Sequence, residues 1–245
     1  MKNKFRKEDK SPRIPQRNKI KNTVEIRKSN KLTEKQQCFL DLASDKDTKL
    51  IFVSGPAGTS KTYLAVLVAL QLLNEKKVSD IMYIRSAVES CDSKLGYLPG
   101  TSEEKMSPYI QPLIDKLEEL LSPNDVKHLI DDERISSVPV GYLRGLNWNA
   151  KVIITDEAQN MSFKELTTLV TRVGEFNKTF IIGDLDQCDI GNRSGFNQMI
   201  SCFSDEDSRL NGIYTFEFTE EDIVRSALVK FIVKKLKNVV KKDSK

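Results

Sequence analysis

A chain of 245 residues, 39% hydrophobic and 30% charged, is long enough to bury one substantial core and too long for a disulfide-stapled mini-domain. No apolar run reaches the roughly 18 residues that cross a bilayer, and no apolar leader follows the basic start Met1–Arg6, so the expectation is a cytoplasmic protein without a membrane partner. The four cysteines (Cys38, Cys91, Cys188, Cys202) contain no Cys-x-x-Cys pair, and His128 is the single histidine, which argues against a histidine triad and against a Cys/His metal centre.

The net charge of +4 conceals an asymmetry. Residues 1–31 carry twelve Lys/Arg against Glu8, Asp9 and Glu25, a balance of +9; the remaining 27 basic and 32 acidic residues sum to −5. The C-terminal stretch turns basic again through Lys230, Lys234, Lys235, Lys237, Lys241, Lys242 and Lys245. Basic ends on an acidic body suit a polyanion partner such as nucleic acid, or equally a solubilising tail.

Residues 1–30, with Pro12 and Pro15 and no periodicity, read as a flexible basic arm. Residues 31–240 read as a single domain, and 241–245 as a basic tail. Inside that domain short Ile/Val/Phe-rich runs, Leu50–Ser54, Ile81–Arg85, Lys151–Thr155, Thr179–Ile182 and Gly212–Phe216, read as buried strands. Amphipathic stretches Thr62–Asn74, Pro108–Leu121, Ser162–Val173, Gly195–Phe203 and Glu220–Asn238 read as helices. Alternation of the two predicts an α/β fold: a parallel sheet of about five strands with helices on both faces, and ligands gathered at the strands' carboxyl ends.

Three of the predicted strands end in residues suited to phosphate chemistry. The first runs into Gly55-Pro56-Ala57-Gly58-Thr59-Ser60-Lys61-Thr62, a tight small-residue loop that opens a helix. Such a loop turns backbone N–H groups and a helix N-terminus toward a polyphosphate, with Lys61 reaching the β/γ-phosphates and Thr62 holding Mg²⁺. Ser60 stands where the usual pattern has glycine, and brings a Cβ into the tightest part of the loop. The second strand ends in Asp156-Glu157-Ala158-Gln159, which offers Asp156 to Mg²⁺ through water and Glu157 as the group that polarises the attacking water. A helix cap on Asp156 is the plainer alternative. The third ends in Gly183-Asp184-Leu185-Asp186-Gln187, where Gln187 is placed to sense a γ-phosphate and Asp184 could simply cap a turn.

With these motifs in this order, the chain resembles the PhoH family of ATPases, related to the first motor domain of superfamily 1 helicases. Arg85-Ser86-Ala87-Val88-Glu89, Lys94-Leu95-Gly96-Tyr97-Leu98-Pro99-Gly100, Tyr109-Ile110-Gln111-Pro112-Leu113 and Glu221-Asp222-Ile223-Val224-Arg225-Ser226 are similar to further family signatures. The resemblance runs from about Leu32 to about Val233 and implies a RecA-like P-loop NTPase that binds ATP and Mg²⁺ and hydrolyses ATP. It assigns catalysis to Lys61, Glu157, Gln187 and Arg225, nucleotide contacts to residues 55–62, and metal binding to Thr62 and Asp156. Leu32-Thr33-Glu34-Lys35-Gln36 is similar to the glutamine motif that reads adenine in helicases; the same residues make a capping box from Thr33 to Gln36, and Gln37 is an alternative donor. Arg144, Asn192 and Arg193 are candidates for phosphate, nucleic-acid or subunit contact.

A single motor domain lacks the second face that encloses ATP in such helicases. The resemblance therefore implies a homo-oligomeric ring, such as a hexamer, in which Arg225 serves a neighbour's ATP and single-stranded RNA or DNA is the polymer remodelled. A nucleotide-dependent interaction switch with low turnover is the competing expectation.

Overall fold

The computed structural model describes residues 20, 22–27, 32–86, 102–143, 148–224, 231 and 235, with backbone alone at 102–109 and 142. Arg144, Arg225 and the arm up to residue 19 lie outside the described residues.

In chain order the elements are α1 (Glu34–Ser44), β1 (Leu50–Ser54), α2 (Lys61–Asn74), β2 (Asp80–Arg85), α3 (Ser102–Leu120), α4 (Pro123–Asp131), β3 (Ile135–Pro139), β4 (Lys151–Asp156), α5 (Phe163–Val170), β5 (Lys178–Gly183), α6 (Phe196–Cys202), α7 (Glu206–Leu210) and β6 (Ile213–Glu217). The strands form one six-stranded sheet in the order β3-β2-β4-β5-β1-β6. Every adjacent pair is parallel. The expected α/β fold of the P-loop NTPase type is therefore present, with one strand more than the five expected. The extra strand is β3, Ile-Ser-Ser-Val-Pro on the sheet edge, where Ile135 alone is buried. A short half-exposed edge strand ending in proline carries none of the apolar signal of its neighbours.

Period-two alternation with both faces covered explains the uninterrupted apolar runs of the inner strands. Ile51, Val53, Ile81, Tyr83, Val152, Ile154, Phe180 and Ile182 face one core, built with α1, α2, α3 and α4. Leu50, Phe52, Met82, Ile84, Ile153 and Ile181 face the other, filled by Trp148, Leu166, Leu169, Phe196 and Met199 around α5 and α6. Within the first core, α2 is buried along nearly its whole length, from Leu64 to Leu73. Burial all round pins its N-terminus, and with it the loop that precedes it.

Helix starts follow from local chemistry. Thr33 and Gln36 form a reciprocal capping box on α1, as Ser162 and Glu165 do on α5, and Ser122 caps α4 ahead of Pro123. The stretch expected as a helix over 220–238 begins as a 3-10 turn, Glu220–Asp222, and continues outside the described residues apart from 231 and 235. No helix among the described residues is long and apolar enough to cross a membrane.

Candidate functional site

Because all strands run parallel, β1, β4 and β5 deliver their carboxyl ends to one edge, with β5 inserted between the other two. That edge holds a cavity of roughly 830 Å³ whose wall includes Gly58, Lys61, Thr62, Asp156, Glu157 and Gln187.

The loop after β1 needs its glycines. Gly55 has φ +149°, and a Cβ there would lie 2.7 Å from both Cβ and the carbonyl oxygen of Phe218. Gly58 has φ +89°. Ser60, at φ 67° and ψ 23°, is left-handed without being glycine. The departure from the usual pattern thus sits at a position whose backbone suits glycine and costs a serine on the order of 1–2 kcal/mol. Val224 N–H donates to Gly58 O (3.0 Å), tying the loop to the chain that follows β6.

Lys61 Nζ donates to the carbonyls of Gly55 (2.6 Å) and Pro56 (2.9 Å), folding back over its own loop. Burial pulls its pKa below the ordinary lysine value, opposed by the charges of Asp184, Asp156 and Glu157. Thr62 Oγ1 donates to Asp156, 3.1 Å from Oδ2 and 3.3 Å from Oδ1. Asp156 Oδ2 also accepts from the Tyr83 hydroxyl (2.8 Å), and Oδ1 from Glu157 N–H (3.0 Å). Asp156 therefore does not cap a helix; its carboxylate is bound by β2, α2 and its own neighbour.

Glu157 is also left-handed, φ 56° and ψ 38°. Its Oε2 accepts from Gln159 Nε2 (2.6 Å), and its Oε1 lies 3.8 Å from the Arg85 guanidinium. Gln159 is fully buried. Its Nε2 also donates to Gln187 O (3.2 Å), and its Oε1 accepts from Asp184 N–H (3.0 Å). Gly183 makes room for this, since a Cβ there would sit 3.0 Å from Gln159 Oε1 and 2.6 Å from the Phe196 ring. The Asp184 carboxylate accepts from Asp186 N–H (3.0 Å), the turn cap expected of it, and from the loop amide of Ala57. Burial holds its pKa above the usual carboxylate value.

The structure thus brings Lys61, Thr62, Asp156, Glu157 and Gln187 to one cavity. Gln36 lines the same cavity from α1. Its side-chain oxygen accepts from Thr33 N–H (3.0 Å), so the capping role is filled. Gln37 instead donates to Asp41 on the exposed side of α1. Asn192 and Arg193 sit exposed in a 3-10 turn and do not line the cavity.

A hydroxyl and a carboxylate, hard oxygen donors in contact on the wall of a cavity that also holds a lysine, are a donor set that fits Mg²⁺ accompanied by a polyphosphate. Among the described residues no cluster of three or more His, Cys, Asp or Glu could hold a metal by itself, so phosphate oxygens would complete the shell.

The family described as PhoH-like protein matches residues 28–237. The chain belongs to the PhoH-like family. Among its relatives are a PhoH-like protein of Mycobacterium tuberculosis (strain ATCC 25618 / H37Rv), 38% identical over 82% of this chain and 56% of that protein, and one of Bacillus subtilis (strain 168), 36% identical over 78% and 59%. Protein PhoH of Escherichia coli (strain K12) is 34% identical over 76% of this chain and 52% of its own length. The chain spans little more than half the length of these relatives. Solved structures of Pif1 helicases at forked double-stranded DNA and of Bacteroides Pif1 bound to single-stranded DNA align at 17% and 15% identity with TM-scores of 0.34 and 0.32. They cover 78% of this chain, and 44% and 42% of theirs. Scores that low decide nothing about the site. Membership of the family, with the sheet order above, makes the chain a P-loop NTPase-like protein.

Two residues of the site carry no role in the sequence reading. Gln159 is visible there as the end of Asp-Glu-Ala-Gln, and its spacing from Glu157 is the signal that it could return to it. Tyr83 has no such signal, being one aromatic residue in an apolar strand.

Proposed function

We propose that this chain binds ATP with Mg²⁺ in the cavity at the ends of β1, β4 and β5, hydrolyses the ATP, and uses the cycle to remodel single-stranded RNA or DNA as a homo-oligomer, in the cytoplasm. The observation that carries the proposal is the convergence of Lys61, the Thr62–Asp156 contact and the Glu157–Gln159–Gln187 chain on one cavity. The loop of residues 55–60, through the N–H groups of its non-proline residues, and Lys61 would bind the phosphates, Thr62 and Asp156 would hold the metal, and Gln36 would contact the base. When bound, Mg²⁺ offsets negative charge on the phosphate oxygens. Glu157 and Gln187 would position the attacking water, since catalysis of this type rests mainly on positioning and electrostatics. The basic residues of 1–31 would follow the polymer's phosphates, and Arg225 would complete a neighbour's site.

A second reading, a nucleotide switch with low turnover, draws support from a specific pair of contacts. Lys61 is bound to two loop carbonyls and Glu157 to Gln159, so both groups that hydrolysis needs have internal partners to leave.

One experiment separates the two: steady-state ATP turnover with and without single-stranded RNA and DNA, repeated on a chain lacking residues 1–31. Polymer-stimulated hydrolysis is expected, with a salt slope of about −0.7 per phosphate contacted that flattens on deletion. Tight ATP binding with negligible turnover under every condition would establish the switch, and absence of nucleotide binding would reject both.

A further inference from the structure

We infer that the Tyr83 hydroxyl is a positioning group for the metal site, fixing the Asp156 carboxylate so that it can serve Mg²⁺. The inference rests on the reading that Asp156 and Thr62 hold the metal, and adds to it a residue from a different strand that no motif marks.

Tyr83 lies in the middle of β2, fully buried between Met82 and Ile84, with Ile81 beyond. Every other requirement of that position is apolar, and phenylalanine would meet it. A buried hydroxyl is tolerated only when it is bonded. Here it donates to Asp156 Oδ2 at 2.8 Å, across the β2–β4 pair in which Tyr83 registers with Ile154 and Arg85 with Asp156.

The partners of Asp156 show why this bond matters. Oδ1 is held by Glu157 N–H at 3.0 Å, a bond within the same turn that fixes little beyond one oxygen. Thr62 Oγ1 approaches both oxygens at 3.1–3.3 Å, and it is the group proposed to turn toward the metal. Once Thr62 is engaged elsewhere, the Tyr83 hydroxyl is, among the described residues, the remaining side-chain donor on Oδ2. It is anchored in a rigid core strand, where a supporting bond best defines a ligand's orientation.

The test uses Tyr83→Phe in the full chain, which removes one oxygen and keeps the ring. The readout is binding of a fluorescent, non-hydrolysable ATP analogue during Mg²⁺ titration, together with binding of the same analogue in excess EDTA. The expected result is that the Mg²⁺ concentration at half-saturation rises by about tenfold or more, the usual effect of removing such a supporting bond. Metal-free binding should stay at the parent's level. A midpoint equal to the parent's would overturn the role of Tyr83 while leaving the nucleotide site standing. Equal weakening with and without Mg²⁺ would also overturn it, because a merely structural hydroxyl would act on both. If the parent binds the analogue without any dependence on Mg²⁺, the underlying metal reading fails and takes this inference with it. Tyr83→Leu, read by the same ratio of metal-dependent to metal-free binding, checks that the effect follows the hydroxyl rather than the ring.

Discussion

Gln159 joins Glu157 to Gln187: one buried amide nitrogen lies 2.6 Å from the carboxylate of the first and 3.2 Å from the backbone oxygen of the second. The end of β4 and the end of β5 are thereby connected through a single side chain, and the amide oxygen extends the link to Asp184 N–H. A change in the turn holding Gln187 would reach Glu157 through this side chain.

Gln159→Glu tests that link. The substituted carboxylate can still accept from Asp184 N–H, but it sets a like charge against Glu157 and cannot donate to either partner. Turnover is expected to fall by about tenfold or more, equivalent to some 1.4 kcal/mol of barrier, with the KM for ATP little changed. The folded state should lose about 1–3 kcal/mol by urea unfolding, since a buried bonded group has lost its donor. Normal turnover in a variant that folds would show that Glu157 does not depend on this bond.

Ser60→Gly should stabilise the protein. Glycine adopts φ 67° freely, and the relief of roughly 1–2 kcal/mol exceeds the entropy that glycine adds to the unfolded chain, about 0.5–1 kcal/mol. A net gain of about 0.5–1 kcal/mol in urea unfolding, with no loss of nucleotide affinity, is the expected outcome. Destabilisation would mean that the serine side chain has a partner worth more than the strain it imposes.

Lys178 supplies a pH dependence. It is 6% exposed at the start of β5, its Nζ donates to the carbonyls of Asp45 and Thr48, and burial brings its pKa from 10.5 down to about 8. Between those values the unfolded chain holds the proton and the folded chain does not, so the unfolded state binds more protons and stability rises with pH. Below about pH 8 both states are protonated, and the full cost of burying the charge is present. The neutral amine keeps two N–H groups, enough for both carbonyls. Relative to Lys178→Met, the parent should therefore gain stability between about pH 8 and 10, at no more than roughly 1.4 kcal/mol per pH unit. Parallel stability curves for the two proteins in urea at pH 7, 8, 9 and 10 would refute the assignment.

Arg225 lies outside the described residues, and its proposed action on a neighbour's ATP can be tested by mixing. Lys61→Ala and Arg225→Ala subunits are each expected to lose most activity, since a finger of this kind is worth about 10³–10⁵ in rate. Mixed assemblies should recover part of it, because one subunit keeps the arginine and the other keeps Lys61. Full activity of Arg225→Ala alone would remove the arginine from the mechanism. Failure of exchanging mixtures to recover would place it within its own chain.

What the sequence makes legible follows physical signal strength. The strands ending at Ser54, Asp156 and Gly183 are buried on both faces, and their dense apolar runs stop at residues of unmistakable chemistry. The strand β3 is hidden because, at the edge, a buried Ile135 and a half-buried Val138 anchor it, while two serines and a proline fill the rest. Gln36 shows one residue satisfying two demands, a cap and a cavity wall, which sequence alone leaves as alternatives. The role of Tyr83 is illegible for a different reason. A hydroxyl pointing across a sheet pair is a fact of register, and register emerges only when β2 and β4 are laid side by side.

The strand that leads into the 55–62 loop is also the one whose completion waits longest. Leu50 in β1 registers with Ile213 in β6, 163 positions later, and with Thr179 in β5, 129 positions later. Neither neighbour of β1 exists until most of the chain has left the ribosome. At about 5–20 residues per second, the interval between synthesis of Leu50 and of Ile213 is on the order of 10–30 s. Until β5 follows, 129 positions after Leu50, the apolar β1 and α2 have no sheet to join, a condition that slows folding and invites aggregation or chaperone capture. Nascent chains arrested before residue 178 should therefore be sensitive to protease across 50–74, and acquire protection there as β5 and then β6 emerge.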